Sequence, residues 1–136
     1  MQTRGASSGG LPGRIRILAG AESTDGSFSV IESLEEPGSS APPHVHRREA
    51  EALYVVEGEM HLACAGRRVT LAAGDFVYLP KDISHTHAVA GDRPARVLYM
   101  FSRAGFESFF VDGSAAADPA TMQRVLAEHE VELVEG

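Results

Sequence analysis

A chain of 136 residues, 43% apolar and 23% charged, has the length and balance of one folded domain, which excludes a fibrous or wholly disordered protein. Its 19 acidic residues against 12 lysines and arginines give a net charge of −7, which repels phosphate backbones and anionic lipid headgroups and argues against nucleic acid and membrane as partners. The single cysteine, Cys64, excludes an intramolecular disulfide framework, suits a reducing cytoplasm and reads as a small buried hydrophobe.

In chain order, residues 1–13 are rich in Gly, Ser and Pro and carry too little apolar surface to offset their ordering entropy, so a flexible arm is expected there. They also lack the apolar stretch of a secretory signal, and no run of the chain approaches the ~18 residues needed to cross a bilayer. From Arg14 onward the sequence breaks into short runs rich in β-branched and aromatic residues: RIRILA, SFSVIESL, ALYVV, EMHLACA, RRVTLA, DFVYL, HTHAV and ARVLYMF. Glu57-Gly58, Ala65-Gly66 and Gly74-Asp75 separate them with residues that tolerate tight turns. Strands at this spacing predict an antiparallel all-β sandwich or barrel over residues 14–112. Residues 113–136 are expected to add a helix and tail, because Met122, Val125, Leu126 and His129 follow a helical period after Asp118 as N-cap and Pro119 at the first position. Phe106, Phe109 and Phe110 fit either one helical turn or an extended segment.

Chemistry concentrates in the histidines. Pro43-His44-Val45-His46 sets two imidazoles two residues apart on a β-prone segment, hence on one face. Glu51 lies at an odd separation from His46 and needs an intervening turn, for which Arg47-Arg48-Glu49-Ala50 has the polarity. After that turn Glu51, Leu53 and Val55 share one face, and downstream His85, His87 and Val89 share another. Three imidazoles and a carboxylate form a borderline donor set for one divalent transition metal ion (Fe, Ni, Mn, Co, Cu or Zn) and do not suit the all-oxygen preferences of Ca or Mg. Glu49 can stand in for Glu51 if the turn is tighter, and is otherwise expected in solvent. His87 can be a fifth ligand, a hydrogen-bonding group of the pocket or a core histidine, whereas His61 and His129 read as structural or surface residues.

These residues resemble the cupin family, whose first motif is G-x5-H-x-H-x(3,4)-E-x6-G. Gly38, His44, His46, Glu51 and Gly58 meet it without a gap. The second motif, G-x5-P-x-G-x2-H-x3-N, is met by Gly74, Pro80 and His85, with Asp82 in place of a glycine and Val89 in place of the terminal asparagine. Asp tolerates the left-handed conformation that a glycine there would supply. The short separation of the motifs and the segment from Asp75 to Phe110 are similar to small single-domain cupins of the quercetinase-like and polyketide-associated kind. The resemblance implies a small jelly-roll β-barrel with a short C-terminal helix, His44, His46, Glu51 and His85 as metal ligands, and a homodimer.

Leu53, Val55, His87 and Val89 are the expected pocket residues around the ion. With few cations on the core strands beyond Arg96 and Lys81, a hydrophobic small molecule is favoured over an anionic one. The functional reading is a metal-dependent, quercetinase-like dioxygenase of a phenolic or aromatic compound with Glu51 as general base. A non-catalytic metal or small-molecule binding cupin and a metal-assisted isomerase or polyketide cyclase are the alternatives.

Overall fold

The computed structural model describes residues 15–114 and 118–134, so the expected arm at residues 1–13 lies outside the described part. Ten strands and three helices follow in chain order among the described residues: β1 (Ile15–Ala19), α1 (Ala21–Thr24), β2 (Phe28–Glu35), β3 (Ser40–His46), β4 (Ala50–Glu57), β5 (Glu59–Cys64), β6 (Arg67–Ala72), β7 (Phe76–Leu79), β8 (His85–Val89), β9 (Ala95–Ser102), α2 (Glu107–Ser114), α3 (Pro119–Glu128) and β10 (Val131–Leu133). The strands form two antiparallel five-stranded sheets, ordered β1-β2-β9-β4-β7 and β10-β3-β8-β5-β6, which face each other as a jelly roll.

Alternation along the strands sets the inner face. On β9, Ala95, Val97, Tyr99 and Phe101 are buried while Arg96, Leu98 and Met100 point outward; on β4, Glu51, Leu53 and Val55 are buried. Val77 and Leu79 take the inner face of β7, leaving Phe76 and Tyr78 58% and 60% exposed. The inner faces close-pack where β4 and β7 meet β5 and β6, through Leu53, Val55, Met60, Leu71 and Leu79. On the opposite flank, where β1 and β2 face β3 and β10, the sheets stand apart around a cavity.

The turns follow from backbone sterics. Ala65 and Gly66, with φ of 51° and 80°, make the two-residue connection of β5 to β6, and a turn with both central residues at positive φ matches the twist of a hairpin. Gly58 has φ of 84°, and a Cβ there would lie 2.6 Å from the Pro94 carbonyl oxygen and 2.8 Å from the Ala95 Cα, so both conformation and close approach require glycine. Asp82 takes φ of 70° in the place where the family motif has glycine.

Two strands extend beyond the sequence-predicted runs. Strand β3 begins at Ser40, and its pairing with β8 is irregular between Ala41 and His44, where Pro42 and Pro43 have no N–H to donate to the ladder. Strand β10 lies in the expected C-terminal tail and pairs with the histidine strand, Val131 opposite His46 and Leu133 opposite His44. The expected C-terminal helix is α3: the Asp118 carboxylate accepts the Thr121 backbone N–H at 2.8 Å, and Val125 is buried. Phe106 precedes α2, which carries Phe109 and Phe110 against the core. Cys64 is half-buried beside the core, and burial raises its thiol pKa.

Candidate metal centre

Both sheets contribute to the site. His44 and His46 come from β3 and His85 from its neighbour β8, where His44 and His85 are paired across the ladder. Glu51 comes from β4 in the opposite sheet, between Leu79 and Phe101. The turn at residues 47–49 lets Glu51 face inward despite its odd spacing from His46. The four residues are nearly inaccessible, at 9%, 4%, 3% and 3% exposure for His44, His46, Glu51 and His85, and offer ligand atoms that all lie within 4.8 Å of one another. That is close to the ~4 Å spanned by ligands on opposite sides of one ion bonded at ~2.0–2.2 Å.

The hydrogen bonding fits a cation among these four. Glu51 Oε1 lies 3.2 Å from both His46 Nε2 and His85 Nε2, yet Glu51 Oε1 and both ring nitrogens of His85 make no well-aligned hydrogen bond although they are buried. Buried polar atoms brought this close without bonding each other are costly alone. Behind them, His44 Nδ1 lies 2.7 Å from the Pro42 carbonyl oxygen and His46 Nδ1 lies 3.3 Å from Glu49 Oε1. Donation from Nδ1 in each case fixes the tautomer whose Nε2 lone pair is free for a metal. Borderline nitrogen donors and one carboxylate suit a divalent transition metal.

Burial and mutual charge shape the site further. Burial lowers the His44 pKa to about 4, against the opposing bond to the Pro42 carbonyl. At His46 burial acts in the same direction, but the Glu49 and Glu51 carboxylates outweigh it and raise the pKa to about 9. Burial alone would make Glu51 a weaker acid; the His46 and His85 imidazoles beside it prevail and hold it well below the usual carboxylate range.

Some expectations need correction. Glu49 is 1% exposed and holds the far side of His46, rather than projecting into solvent as the polarity of its segment suggested. Leu53, Val55 and Val89 face inward but belong to the close-packed flank and do not line the cavity. Period-two patterning shows which face is inside; it does not show where two facing sheets touch and where they part. His87 does line the cavity, partly buried, with burial lowering its pKa. His61 is exposed beside Thr70 on the outer surface, and His129 is buried edge-on to Phe106 and Phe109.

The cavity has a volume of about 470 Å³ and reaches His44, His46 and Glu51. Its apolar wall is formed by Phe101, Phe106, Phe109 and Phe110, with Met122 and Leu126 of α3 beyond them. Its polar lining away from the ligands is Ser33, Glu35, Tyr99 and His87. No lysine or arginine is among the described lining residues. Strand β9 was readable as a strand, but not that Tyr99 and Phe101 line a cavity; the approach of α2 and α3 has no local signal in the sequence.

A domain model described as "Cupin domain" matches residues 32–101. Quercetin 2,3-dioxygenase of Bacillus subtilis (strain 168) is 33% identical over 72 residues, 53% of this chain and 21% of that protein. Germin-like protein subfamily 2 member 2 of Arabidopsis thaliana is 32% identical over 98 residues, 68% of this chain and 45% of its own length. The chain thus spans less than half the length of these curated relatives. Among solved structures, a Cupin 2 conserved barrel domain protein from Salinispora arenicola CNS-205 superposes with a TM-score of 0.61 at 22% identity, covering 95% of this chain and 98% of that one. KdgF from Halomonas sp. gives 0.62 at 21% identity over 69% and 81% of the two chains. At these identities the structures establish the jelly roll alone. The matched domain runs from β2 to β9 and takes in every strand that carries a candidate ligand, and on that match the chain belongs to the cupin family.

Proposed function

We propose that this protein is a metal-dependent cupin oxygenase acting on a small hydrophobic aromatic compound with a phenolic hydroxyl. The observation that carries the reading is the join of a buried His44–His46–Glu51–His85 cluster to a 470 Å³ cavity walled by four phenylalanines and free of described cationic lining. That volume lies within the ~300–1,000 Å³ typical of small-molecule pockets. The 33% identity to a quercetin 2,3-dioxygenase over the matched stretch supports the same chemistry.

In this reading the three imidazoles and Glu51 hold one divalent transition metal ion. When bound, the ion supplies Lewis acidity toward a substrate oxygen and a template for dioxygen. Hydrogen bonds from His44 to Pro42 and from His46 to Glu49 hold the rings in place. In the same reading Glu51, ionised in the resting site, accepts the phenolic proton. The phenylalanine wall excludes water and stacks against the ring of the substrate. Dioxygen is the oxidant, and both its atoms pass into the product.

The test is oxygen uptake by protein loaded separately with ferrous, nickel, cobalt or manganese ion and offered a panel of flavonols and simpler phenols. Uptake with at least one pair, collapsing in Glu51→Gln while ligand binding persists, is expected. Tight phenol binding without uptake under any metal would replace the oxygenase reading with a binding module. Product formed without uptake would point to an isomerase or cyclase.

We also place the protein in the cytoplasm and as a homodimer. The lone Cys64 supports the first. The outer face of the β2-β9-β4-β7 sheet supports the second: Leu98, Tyr54 and Phe76 form one apolar row across it, and Met100, Ala52 and Tyr78 the next.

A further inference from the structure

The cavity has a second polar group that the proposed metal chemistry does not use. Ser33 and Glu35 share the inner face of β2, Tyr99 comes from the neighbouring β9, and His87 from β8 in the facing sheet. Tyr99, 5% exposed, donates its hydroxyl to Glu35 Oε2 in a short hydrogen bond. The His87 ring centre lies 5.6 Å from that of Tyr99 and 6.3 and 6.4 Å from those of His44 and His85. His87 Nδ1 is buried and has no hydrogen-bond partner.

We propose that the Glu35–Tyr99 pair, with His87 between it and the metal ligands, forms a recognition station in the cavity, selecting a neutral ligand that carries a second hydroxyl there. The inference rests on the aromatic-substrate reading of the cavity and specifies the substrate class. The Tyr99 proton is committed to Glu35 and both residues line the cavity, so the Tyr99 oxygen and the Glu35 carboxylate have acceptor capacity left for a ligand. A hydroxyl donor satisfies them, a methyl ether cannot, and a ligand carboxylate meets like charge at Glu35 with no described cation to offset it. His87, lying between the two groups, supplies one further donor or acceptor to the same hydroxyl. The ligand is thereby held at two ends, one at Glu51 and the imidazoles and one at Glu35 and Tyr99, with its ring against Phe101 and Phe106.

Equilibrium binding to zinc-loaded protein, which does not turn over by redox chemistry, tests this with three flavonols alike at the metal-facing end. One carries a free hydroxyl on the remote ring, one its methyl ether and one a carboxylate. The hydroxyl form should bind about tenfold or more tightly than the ether, the value of a hydrogen bond to a charged group, and the carboxylate should bind weakest. Glu35→Gln and Tyr99→Phe, each checked for zinc content and melting temperature, should bring hydroxyl and ether to within about threefold while affinity for the ether holds. The preference is a ratio measured within one protein, so a loss of fold alone does not move it. Equal affinity for hydroxyl and ether in the unaltered protein, or full preference in both variants, overturns the station. If no flavonol binds, the station and the aromatic cavity reading fall together. Discrimination by a protein that consumes no oxygen upholds the station and removes only the oxygenase.

Discussion

His46 is where proton and metal compete most directly, because its imidazole sits between Glu49 and Glu51 with a pKa raised to about 9. In metal-free protein that proton stabilises the fold fully below the unfolded pKa of about 6.5, and the contribution is lost as pH rises toward 9. His44 acts at the other end: its pKa of about 4 means the folded state resists protonation, so stability is lost as pH falls below about 6.5. Chelator-treated protein should therefore be most stable near pH 6.5, and metal-loaded protein, whose imidazoles are held neutral, should keep its melting temperature from there to pH 9. The gap between the two forms should widen across that window. Parallel melting profiles would show that the ion is not linked to these histidines. Motif spacing and strand parity made the four candidate ligands legible; Glu49 was not, because the burial of a polar turn residue depends on tertiary packing that local polarity does not report.

The elements repeat that division between local and distant causes. Strands β5, β6, β8 and β9 and helix α3 have local causes, namely β-branched runs, glycine turns and the Asp118 cap, and each was readable. The start of β3 was not, since Pro42 and Pro43 argue against a ladder that the chain forms around them. Three-residue β10 is too short to carry a period and exists by pairing with β3. Gly58 joins the two kinds of cause, with a turn conformation legible in the motif and a contact with Pro94 and Ala95 that is not. Gly58→Ala should cost more than the ~1 kcal/mol of a simple left-handed penalty, read as a clear fall in melting temperature, because backbone must move as well. A variant as stable as the parent would mean that the β4–β5 turn relaxes freely away from β9.

At the scale of the molecule, the jelly roll supplies one close-packed flank and one open flank, and that asymmetry makes a site rather than a solid core. Family motifs conveyed the barrel and the candidate ligands. They did not convey the cavity, whose lining combines strands β2 and β9 with helices α2 and α3 far apart in sequence, nor the Glu35–Tyr99 pair within it. The outer face of the first sheet has the complementary property, an apolar surface with Phe76 and Tyr78 more than half exposed. If two copies meet there, Phe76→Lys with Tyr78→Lys should convert a dimer to a monomer in sedimentation equilibrium without loss of bound metal. An unchanged dimer would move the interface elsewhere, and a monomeric parent would remove it.

The proposed oxygenase chemistry depends on an ion held by His44, His46, Glu51 and His85. Elemental analysis of protein purified without chelator measures this directly. About one transition metal ion per chain is expected in the unaltered protein, most of it lost in His44→Ala, His46→Ala and His85→Ala and retained in His87→Ala. A loaded His85→Ala protein beside an empty His87→Ala protein would contradict the assignment.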